Sequence, residues 1–183
     1  AGTSFWGCEV KVDNLNVYEN NYVNFKTKQF KYGGGLFAGM CEMEVKNSSF
    51  NGCVSINGGA VSISNSTATF TNCKILNNKA ISSEITGNPC LYVNGGYGGG
   101  VFVLSNEGQS VKFKNCNISN NEAIDGGSVA IMPLSPNNKG GLVEILLCNI
   151  GLNESEDNNS LKYYSYSSNE QNMGVLNIKG CFI

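Results

Sequence analysis

The sequence contains no histidine and no arginine, and only 14% of its residues are charged. All 12 basic residues are lysines, and they are spread along the chain without forming a basic run. Because binding to nucleic acid and to anionic membranes depends on clustered positive charge, neither is an expected partner. The common zinc-ligand patterns are also missing, since there is no histidine and no Cys-x-x-Cys pair, so no metal and no cofactor is predicted. No apolar run approaches the roughly 18 residues that a membrane-spanning helix needs, so membrane insertion is not expected.

A degenerate repeat runs through the chain, and its clearest copy is Ala68-x-Phe70-x-Asn72-Cys73-x-Ile75. The other copies are Thr3-x-Phe5-x-Gly7-Cys8-x-Val10, Met43-x-Val45-x-Asn47-Ser48-x-Phe50, Val111-x-Phe113-x-Asn115-Cys116-x-Ile118, Val143-x-Ile145-x-Leu147-Cys148-x-Ile150 and Leu176-x-Ile178-x-Gly180-Cys181-x-Ile183. Repeats with a period of this size are typical of solenoids and propellers.

Each copy of the repeat predicts two short strands joined by a tight bend. Ala68 and Phe70 alternate with polar residues, and the pair that begins at Cys73 does the same, which is the pattern of a half-buried strand. The last inward residue of the first pair, Phe70, and the first of the second pair, Cys73, are three positions apart and not two, so the chain has to turn between them. The residue at the bend is Gly or Asn in five of the six copies, and these residues accept a left-handed backbone most easily. We expect the corner asparagines to stack from coil to coil.

A second signature, a pair of glycines before an apolar residue, marks the start of a further strand. It occurs as Gly33-Gly34-Gly35-Leu36, Gly58-Gly59-Ala60-Val61, Gly98-Gly99-Gly100-Val101, Gly126-Gly127-Ser128-Val129 and, more loosely, Gly140-Gly141-Leu142-Val143. Each coil then supplies three short strands. The sequence therefore predicts an all-β protein, a parallel β-helix of about five to six coils.

Together the two signatures resemble the paired Gly-Gly-Ala-[Ile/Leu/Val] and Phe-x-x-Asn motifs of the chlamydial polymorphic outer-membrane protein repeat. The second motif reads Ile75-x-x-Asn78, Ile118-x-x-Asn121 and Ile150-x-x-Asn153 here, and the pattern is broken at Val10-x-x-Asp13 and Phe50-x-x-Cys53. The resemblance implies a right-handed parallel β-helix used for display and adhesion at a cell surface. It brings no catalytic residues with it.

The repeat extends along the whole sequence, so residues 1–183 are expected to form a single solenoid domain. The last coil stops at Cys181-Phe182-Ile183 without a polar cap, whereas solenoids need capping repeats. We therefore expect an internal segment of a longer protein, with proteolytic processing as the alternative. Flanking coils of the same chain, or end-to-end self-association, are the predicted partners of the open ends.

Three long insertions are predicted at one corner of the coil, at residues 14–32, 79–97 and 154–171, and short links at 54–57 and 122–125 alternate with them. All eight tyrosines fall in the long insertions: Tyr18, Tyr22, Tyr32, Tyr92, Tyr97, Tyr163, Tyr164 and Tyr166. Insertions on one face of a solenoid commonly form its binding face. Tyrosine provides a large contact area and loses little side-chain conformational entropy on binding. Two interpretations stay open. Either a protein or glycan partner binds these rings, or the rings lie flat on the outside of the coils and hold the insertions in place.

Five of the eight cysteines occupy one repeat position, with Ser48 at the sixth: Cys8, Cys73, Cys116, Cys148 and Cys181. They are predicted to form a stack of buried thiols, because in-register Cβ atoms lie slightly too far apart for a bridge. Disulfides between neighbouring coils are the alternative, because stacked Cα atoms fall within the roughly 4.4–6.8 Å range that disulfides span. Cys53 takes the corner position equivalent to Asn78, one coil below the root of the insertion that carries Cys90. If the protein is oxidised, Cys53–Cys90 is therefore the preferred disulfide.

Five Asn-x-Ser/Thr sequons occur, which is about the number that this composition gives by chance. Asn47 is expected to be committed to the corner. Asn65 and Asn158 sit in turns or insertions and are the predicted glycosylation sites.

Parallel β-helices also include enzymes that cleave polysaccharides, and these need clustered carboxylates, a calcium ion or a basic proton acceptor. The three aspartates of this chain are scattered, and Glu42 with Glu44 is better interpreted as a solvated pair. The sequence therefore predicts a non-catalytic display module, extracellular or at the cell surface, that acts in adhesion or protein–protein interaction. A structural scaffold or filament component is the alternative, and a carbohydrate-active enzyme is a distant third.

Overall fold

The fold is all-β. The computed structural model describes residues 2–20, 32–82, 95–134, 139–156, 158–164 and 174–183, and these residues contain twenty strands and no helix. Accordingly, the described part of the chain has no helix long and apolar enough to span a membrane. The strands form four sheets, A to D, in which neighbouring strands are parallel.

The strands are numbered along the chain and are distributed over the sheets as follows. Sheet A contains β1 (Thr3–Trp6), β4 (Leu36–Gly39), β8 (Val61–Ser64), β12 (Val101–Ser105), β16 (Val129–Pro133) and β19 (Leu161–Tyr163). Sheet B contains β2 (Glu9–Asp13), β5 (Glu42–Lys46), β9 (Thr67–Thr71), β13 (Ser110–Lys114), β17 (Leu142–Leu146) and β20 (Val175–Lys179). Sheet C contains β3 (Asn16–Tyr18), β6 (Ser49–Asn51), β10 (Lys74–Leu76) and β14 (Asn117–Ser119). Sheet D contains β7 (Val54–Ser55), β11 (Lys79–Ala80), β15 (Glu122–Ala123) and β18 (Glu154–Ser155).

The chain visits the sheets in a fixed order, from A to B to C to D and back to A, and one such passage is called a coil below. Neighbouring strands of a sheet belong to consecutive coils: Val101 pairs with Val61 of the coil before it and with Val129 of the coil after it. Parallel sheets stacked in this order are consistent with a β-helix. The prediction of three strands per coil is wrong by one, because two-residue strands such as β7 and β15 are too short to show alternation.

The corners between the sheets are left-handed. At the B–C corner, φ is positive at Asn14, Asn47, Asn72, Asn115, Leu147 and Gly180, and we call its four exposed asparagines the outer asparagine column. Positive φ recurs at the C–D corner in Glu19, Gly52, Asn77, Asn120 and Leu152, and at the D–A corner in Gly33, Gly58, Gly98, Gly126 and Asn158. A single left-handed residue turns the chain sharply while the next strand keeps its apolar face inward. The predicted bend between the two strands of each repeat is confirmed.

The interior is filled by apolar side chains that repeat from coil to coil. In sheet B, Val45, Phe70, Phe113 and Ile145 lie in one line and are fully buried, and the rings of Phe70 and Phe113 stack with centroids 5.1 Å apart. Burying a side chain of this size contributes about 1.5–3 kcal/mol. Because each line is shared among coils, the core is stabilised by stacking and not by any one coil.

A column of thiols and hydroxyls follows the B–C corner: Ser48, Cys73, Cys116, Cys148 and Cys181. Each contacts the carbonyl oxygen two residues earlier, as the Cys116 Sγ does with Lys114 at 3.4 Å. Cys148 Sγ also accepts the backbone N–H of Cys116 across the coils, at 3.4 Å. Serine can make the same two contacts, which explains its presence at position 48. The prediction that Cys73, Cys116, Cys148 and Cys181 face inward is confirmed.

The asparagines of the Ile-x-x-Asn segments form an inner asparagine column at the C–D corner, made of Asn78, Asn121 and Asn153. Oδ1 of Asn121 accepts hydrogen bonds from the backbone N–H of Asn78 at 3.0 Å and from its Nδ2 at 2.9 Å. Nδ2 of Asn121 donates to the Ile75 carbonyl at 2.9 Å and to Asn153 Oδ1 at 3.0 Å. The motif therefore ties each coil to the next through its side-chain amides.

The predicted first copy of the repeat, Thr3 to Val10, is wrong. Phe5 lies in sheet A opposite Ala38, and it is Val12 that pairs with Val45 in sheet B. The copy in coil one is Val10-x-Val12-x-Asn14-Leu15-x-Val17, followed by the missing Val17-x-x-Asn20. Cys8 belongs to the A–B corner, outside the thiol column. Gly7-Cys8 and Asn14-Leu15 both fit a left-handed bend. The sequence pattern favours Gly7-Cys8 for the repeat, because four of the other copies also have cysteine after the left-handed residue.

The prediction of long loops at one corner is also wrong. Residues 154–171 contain β18 and β19, with the D–A corner at Asn158 between them. The part of this insertion after β19 belongs to the connection from β19 in sheet A to β20 in sheet B, at the A–B corner. The two earlier insertions instead lead into the D–A corner. The short strand β18 and the polar corner after it have the composition of a loop, which hid them in the sequence.

Candidate functional site

The outer face of sheet A carries aromatic side chains that we call the outer aromatic row: Trp6, Tyr32, Phe37, Phe102, Tyr97 and Tyr164. The inner face of this sheet is filled by core residues such as Val103 and Ile131. Outside it, Phe102 packs with Leu104, Ala130 and Met132 in a second buried cluster, against which the tyrosines of the row lie. Because the inner face of sheet A is filled without this cluster, the row is the candidate functional site.

Two copies of one segment build the centre of the row. Tyr32-Gly33-Gly34-Gly35-Leu36-Phe37 leads into β4, and Tyr97-Gly98-Gly99-Gly100-Val101-Phe102 leads into β12. In each copy the tyrosine precedes the left-handed glycine of the D–A corner, and the phenylalanine is the second residue of the strand. The middle glycine is required for close approach, because a Cβ on Gly34 or Gly99 would collide with backbone of the following coil. The segment therefore delivers two rings to one face over a very tight turn.

The rings of the row follow one another along the stack of coils. Ring centroids are 6.0 Å apart from Trp6 to Phe37 and from Phe37 to Tyr32, and 6.4 Å apart from Tyr32 to Phe102. Tyr97 lies 6.0 Å from Phe102 and meets Tyr164 edge-on at 5.4 Å. These distances fall within the range of favourable aromatic pairs, so the row is continuous over the described coils.

Small or polar residues occupy the intervening coils at the same two positions. Asn57 and Asp125 stand in line with Tyr97, and Ser62 and Ala130 stand in line with Phe102. Neighbouring strands are only about 4.8 Å apart, which is less than the spacing of the rings. Coils two and four, which contribute two rings each, therefore alternate with coils three and five, which contribute none, whereas coil one adds Trp6 beside coil two.

The row is most open at Trp6, whose side chain is 66% exposed. The indole lies over Gly39 of the next coil, where an added Cβ would collide with its six-membered ring and come within 3.1 Å of Phe37 Cε1. Gly39 thus lets the indole lie against the sheet. The result is a supported apolar surface that faces solvent.

At the opposite end a charged pair borders the row. Lys162 Nζ lies 3.6 Å from Asp125 Oδ1 and 5.7 Å from the centroid of the Tyr164 ring, a cation–π distance. Burial, and to a lesser degree the charge of Asp125, raise the pKa of Tyr97. The Tyr97 hydroxyl therefore stays protonated through the neutral range and can donate a hydrogen bond.

The predicted tyrosine sites divide into distinct groups. Tyr32, Tyr97 and Tyr164 pack on the outside of the coils, whereas Tyr163 points into the core and Tyr18 lies in β3 with 62% of its surface exposed. Tyr22, Tyr92 and Tyr166 fall outside the described residues. The prediction that the tyrosines sit in long insertions is therefore wrong for Tyr18 and Tyr163, which are strand residues, and the row brings together three of the predicted sites.

Tyr163 is fixed by two glycines. Its hydroxyl lies against Gly140 and Gly174, where an added Cβ would collide with it. Burial raises the pKa of Tyr163. This side chain is a core residue and does not contribute to a binding surface.

Three members of the row, Trp6, Phe37 and Phe102, are not among the residues predicted from the sequence. The signal that could have found them is the repeated Tyr-Gly-Gly-Gly-[Leu/Val]-Phe segment, which places an aromatic residue at an outward strand position. Trp6 has no such signal, because its place in sheet A depends on the corrected register of coil one.

The predicted Cys53–Cys90 bridge stays a prediction, because Cys90 lies outside the described residues. Cys53 is a free, fully buried thiol whose backbone N–H donates to Asn78 Oδ1 at 2.9 Å. Burial raises the pKa of Cys53, although backbone hydrogen bonds oppose this. In the thiol column, hydrogen bonds with Cys148 and Cys73, together with burial, raise the pKa of Cys116. The same hydrogen bonds with Cys116 lower the pKa of Cys148 to about 7 and also lower the pKa of Cys73, so the thiols of the column do not share one protonation behaviour.

The two predicted glycosylation sites lie at left-handed corners. Asn158 is exposed, and Asn65 is half-buried with its Oδ1 accepting a hydrogen bond from Gln109 Nε2 at 2.5 Å. Asn47 uses its Nδ2 to bond Asp13 at 2.9 Å, and Asn153 uses its Nδ2 to bond the Ile118 carbonyl at 2.8 Å. Asn158 is consequently the sequon with the least engaged side chain among these four.

The acidic groove on the outer face of sheet B is the place where carboxylates come closest to a cluster. Glu9, Glu42 and Glu44 line a shallow space of about 320 Å³. Glu9 pairs with Lys11 at 3.3 Å and Glu44 with Lys46 at 2.7 Å, and these side chains are well exposed. Within the described ranges no group of three or more histidines, cysteines, aspartates or glutamates could hold a metal ion.

Comparison of the chain with known proteins matches no family model, no curated protein and no solved structure. The site is therefore interpreted from its own geometry.

Proposed function

We propose that this chain is a right-handed parallel β-helix that acts as a non-catalytic display module, extracellular or at the cell surface. In this proposal the outer aromatic row binds a protein or glycan partner. The observation that carries it is a row of aromatic side chains on the outside of a sheet whose inner face is already full, with Trp6 66% exposed at one end of the row. Contiguous apolar surface beyond what the core requires is a common mark of an interaction site, and aromatic residues are enriched at the centres of interfaces.

The handedness follows from a general rule. Parallel strands of one sheet that are joined by a crossover are connected right-handedly in about 98% of cases, because of strand twist. Coils two, three and four are such crossovers, each made through one strand in each of the three other sheets. The corrected copy in coil one, Val17-x-x-Asn20, extends the Phe-x-x-Asn series and adds support to the resemblance to polymorphic outer-membrane protein repeats.

The non-catalytic part of the proposal rests on the acidic groove. Glu9 and Glu44 are well exposed and paired with lysines, whereas the carboxylates of an acid–base pair are placed in two environments that shift their pKa values apart.

The test is a binding experiment with matched variants. Biotin-labelled protein is applied to arrays of immobilised glycans and of extracellular-matrix proteins, and Trp6→Ala is compared with Tyr18→Ala. Tyr18 is as exposed as Trp6 but lies in sheet C, outside the row. We expect Trp6→Ala to weaken binding about 30-fold, equivalent to about 2 kcal/mol, because it removes an aromatic anchor.

The control variant Tyr18→Ala should bind within about twofold of the unmodified chain. Both variants should show unchanged circular dichroism and thermal unfolding, because both side chains are largely exposed. Equal loss of binding in the two variants, or no binding to any probe on either array, would contradict the proposal.

A structural scaffold is the second candidate, and a specific edge favours it. Among the described strands, β20 has a parallel partner only on the β17 side, and nearby Phe182 is 79% exposed. An unpaired apolar edge is a template for further strands. Concentration-dependent sedimentation together with filaments in electron micrographs would favour this candidate over display, and a monomer at all concentrations would count against it.

A further inference from the structure

Cys8 and Cys41 face each other across consecutive coils at the A–B corner. Their Sγ atoms are 3.7 Å apart, and both cysteines are free thiols in this structure. The strands on either side of the pair are in register, with Trp6 opposite Gly39 before it and Glu9 opposite Glu42 after it. The two Cα atoms are thereby held about one strand spacing, roughly 4.8 Å, apart, which lies inside the range that disulfides span. The contact between the two Sγ atoms shows that these side chains turn toward each other, so the Cβ separation of in-register cysteines does not keep the sulfurs apart here.

The corner itself does not require cysteine. The next coil has Ser66 at the same position, where its Oγ contacts the Ser64 carbonyl at 2.8 Å and accepts the N–H of Cys41 at 2.9 Å. Cys41 Sγ makes the equivalent contact with the Gly39 carbonyl at 3.2 Å. Because serine satisfies this corner, two stacked cysteines are more than its hydrogen bonding demands.

The pair also differs from the thiol column in its access to solvent. Cys8 is partly exposed and lies in the outermost described coil, and Cys41 is 5% exposed directly behind it. Cys73, Cys116 and Cys148 are enclosed by coils on both sides. Among the described residues, Cys8 is therefore the member of the pair that a small disulfide can contact, with Cys41 directly behind it.

Coil one gains most from a link to coil two. Its inward side chains, such as Phe5, Val12 and Val17, are only partly buried, and they pack on coil two alone among the described coils. A covalent bond at the A–B corner would hold sheets A and B of coil one in place, and with them the indole of Trp6.

We propose that Cys8 and Cys41 are a covalent modification site and form an inter-coil disulfide by exchange with a low-molecular-weight disulfide such as glutathione disulfide. The Cys8 thiolate attacks the small disulfide and releases one small thiol, giving a mixed disulfide. The Cys41 thiolate then attacks the Cys8 sulfur and releases the second small thiol. One S–S bond forms and one breaks, and the two protons lost by the cysteines and the two electrons pass to the small thiols. The inference is independent of what the outer aromatic row binds.

The test is peptide mapping of the full chain after incubation with mixtures of glutathione disulfide and glutathione. Remaining thiols are alkylated under native conditions, and the digest is analysed without reduction. We expect a Cys8–Cys41 linked peptide whose mass is about 2 Da below the sum of the two thiol peptides, since two hydrogens leave. Alkylation of both cysteines should be lost together. Cys73, Cys116 and Cys148 should become alkylated only after denaturation.

Cys41→Ser is the decisive variant, because the next coil shows that serine fits this corner. Its thermal unfolding should match that of the reduced unmodified chain, while Cys8 should now retain glutathione as a stable mixed disulfide. Cys8→Ser is the reciprocal variant, because it removes the other cysteine of the pair. In it Cys41 should remain a free thiol. Recovery of Cys8 as a mixed disulfide or a free thiol in the unmodified chain, under conditions where the variant is glutathionylated, would overturn the proposal.

Discussion

The inner and outer asparagine columns occupy neighbouring corners of the same coils, and they use one residue type for two different reasons. In the inner column, Asn121 is buried and its amide makes four hydrogen bonds to the coils on either side. In the outer column, Asn72 is exposed and its amide makes a single longer contact with Asn47, at 3.3 Å. The outer position needs a left-handed backbone, and the inner position needs the side chain.

The replacements found in each column support this division. At the outer corner, Leu147 and Gly180 take the same left-handed conformation as the asparagines, although neither carries an amide. In the inner column, coil two has Cys53, and there the Asn78 Oδ1 supplies the hydrogen bond to its backbone N–H. Asparagines repeated along a sequence can thus serve two purposes, a left-handed backbone in the outer column and side-chain hydrogen bonds in the inner column. Substitutions distinguish the two purposes.

The largest expected effect is that of Asn121→Ala. It leaves the buried backbone N–H of Asn78 without its acceptor, at a cost of about 1–3 kcal/mol, and it also removes the three other hydrogen bonds of the Asn121 amide. We expect the free energy of unfolding to fall by about 3 kcal/mol in denaturant titrations followed by circular dichroism. A loss below about 1 kcal/mol would show that water or relaxation replaces the amide and would remove the distinction between the columns.

A smaller effect is expected for Asn72→Ala. The change keeps every buried hydrogen bond and costs about 1 kcal/mol, because a Cβ without a local polar partner is disfavoured at positive φ. Asn72→Gly is the matched control, since glycine adopts this conformation without strain. The same titration should give a loss for the glycine variant that is clearly smaller than the loss for alanine. If glycine costs as much as alanine, the outer amide contact matters and not the backbone.

The smallest effect has the opposite sign. Leu147 holds φ at 55° with a side chain that is 59% exposed, so it carries the backbone strain without the benefit of burial. We expect Leu147→Asn to raise the free energy of unfolding by about 0.5 kcal/mol, which melting curves of the paired proteins would resolve. A lower melting temperature would mean that the packing of Leu147 over Gly180 outweighs the relief of strain.

The sequence was sufficient to predict the repeating core and its corners. Phe70, Phe113 and Ile145 alternate with polar residues and face inward as expected, and the thiol column follows from a single repeated position. These features are local in the chain and recur, so several copies support each one. The strands of sheet D have two residues apiece, and no periodicity can be seen at that length.

The site was harder to predict because it depends on which residues face outward in sheet A. Tyr32 and Tyr97 precede a glycine turn, and their composition alone suggested loops. Their actual position is set by parallel bridges to Asn57, which are contacts between coils. The register of coil one failed for a related reason: Cys8 and Leu15 each follow a left-handed residue, and only the pairing with coil two decides between them.

The alternation along the outer aromatic row sets the size of the unit by which such a protein can be lengthened or shortened. Inside, one coil is equivalent to the next, so gene duplication or engineering could add or remove coils singly. Outside, coils two and four carry Tyr-Gly-Gly-Gly-[Leu/Val]-Phe, and coils three and five carry Ser62 and Ala130 at the position of the phenylalanine. Removing coil three alone would place Tyr32 and Phe37 directly beside Tyr97 and Phe102. Over coils two to five the repeating unit of the outer surface is therefore the coil pair, so lengthening that part of the row without changing its pattern takes two coils at a time.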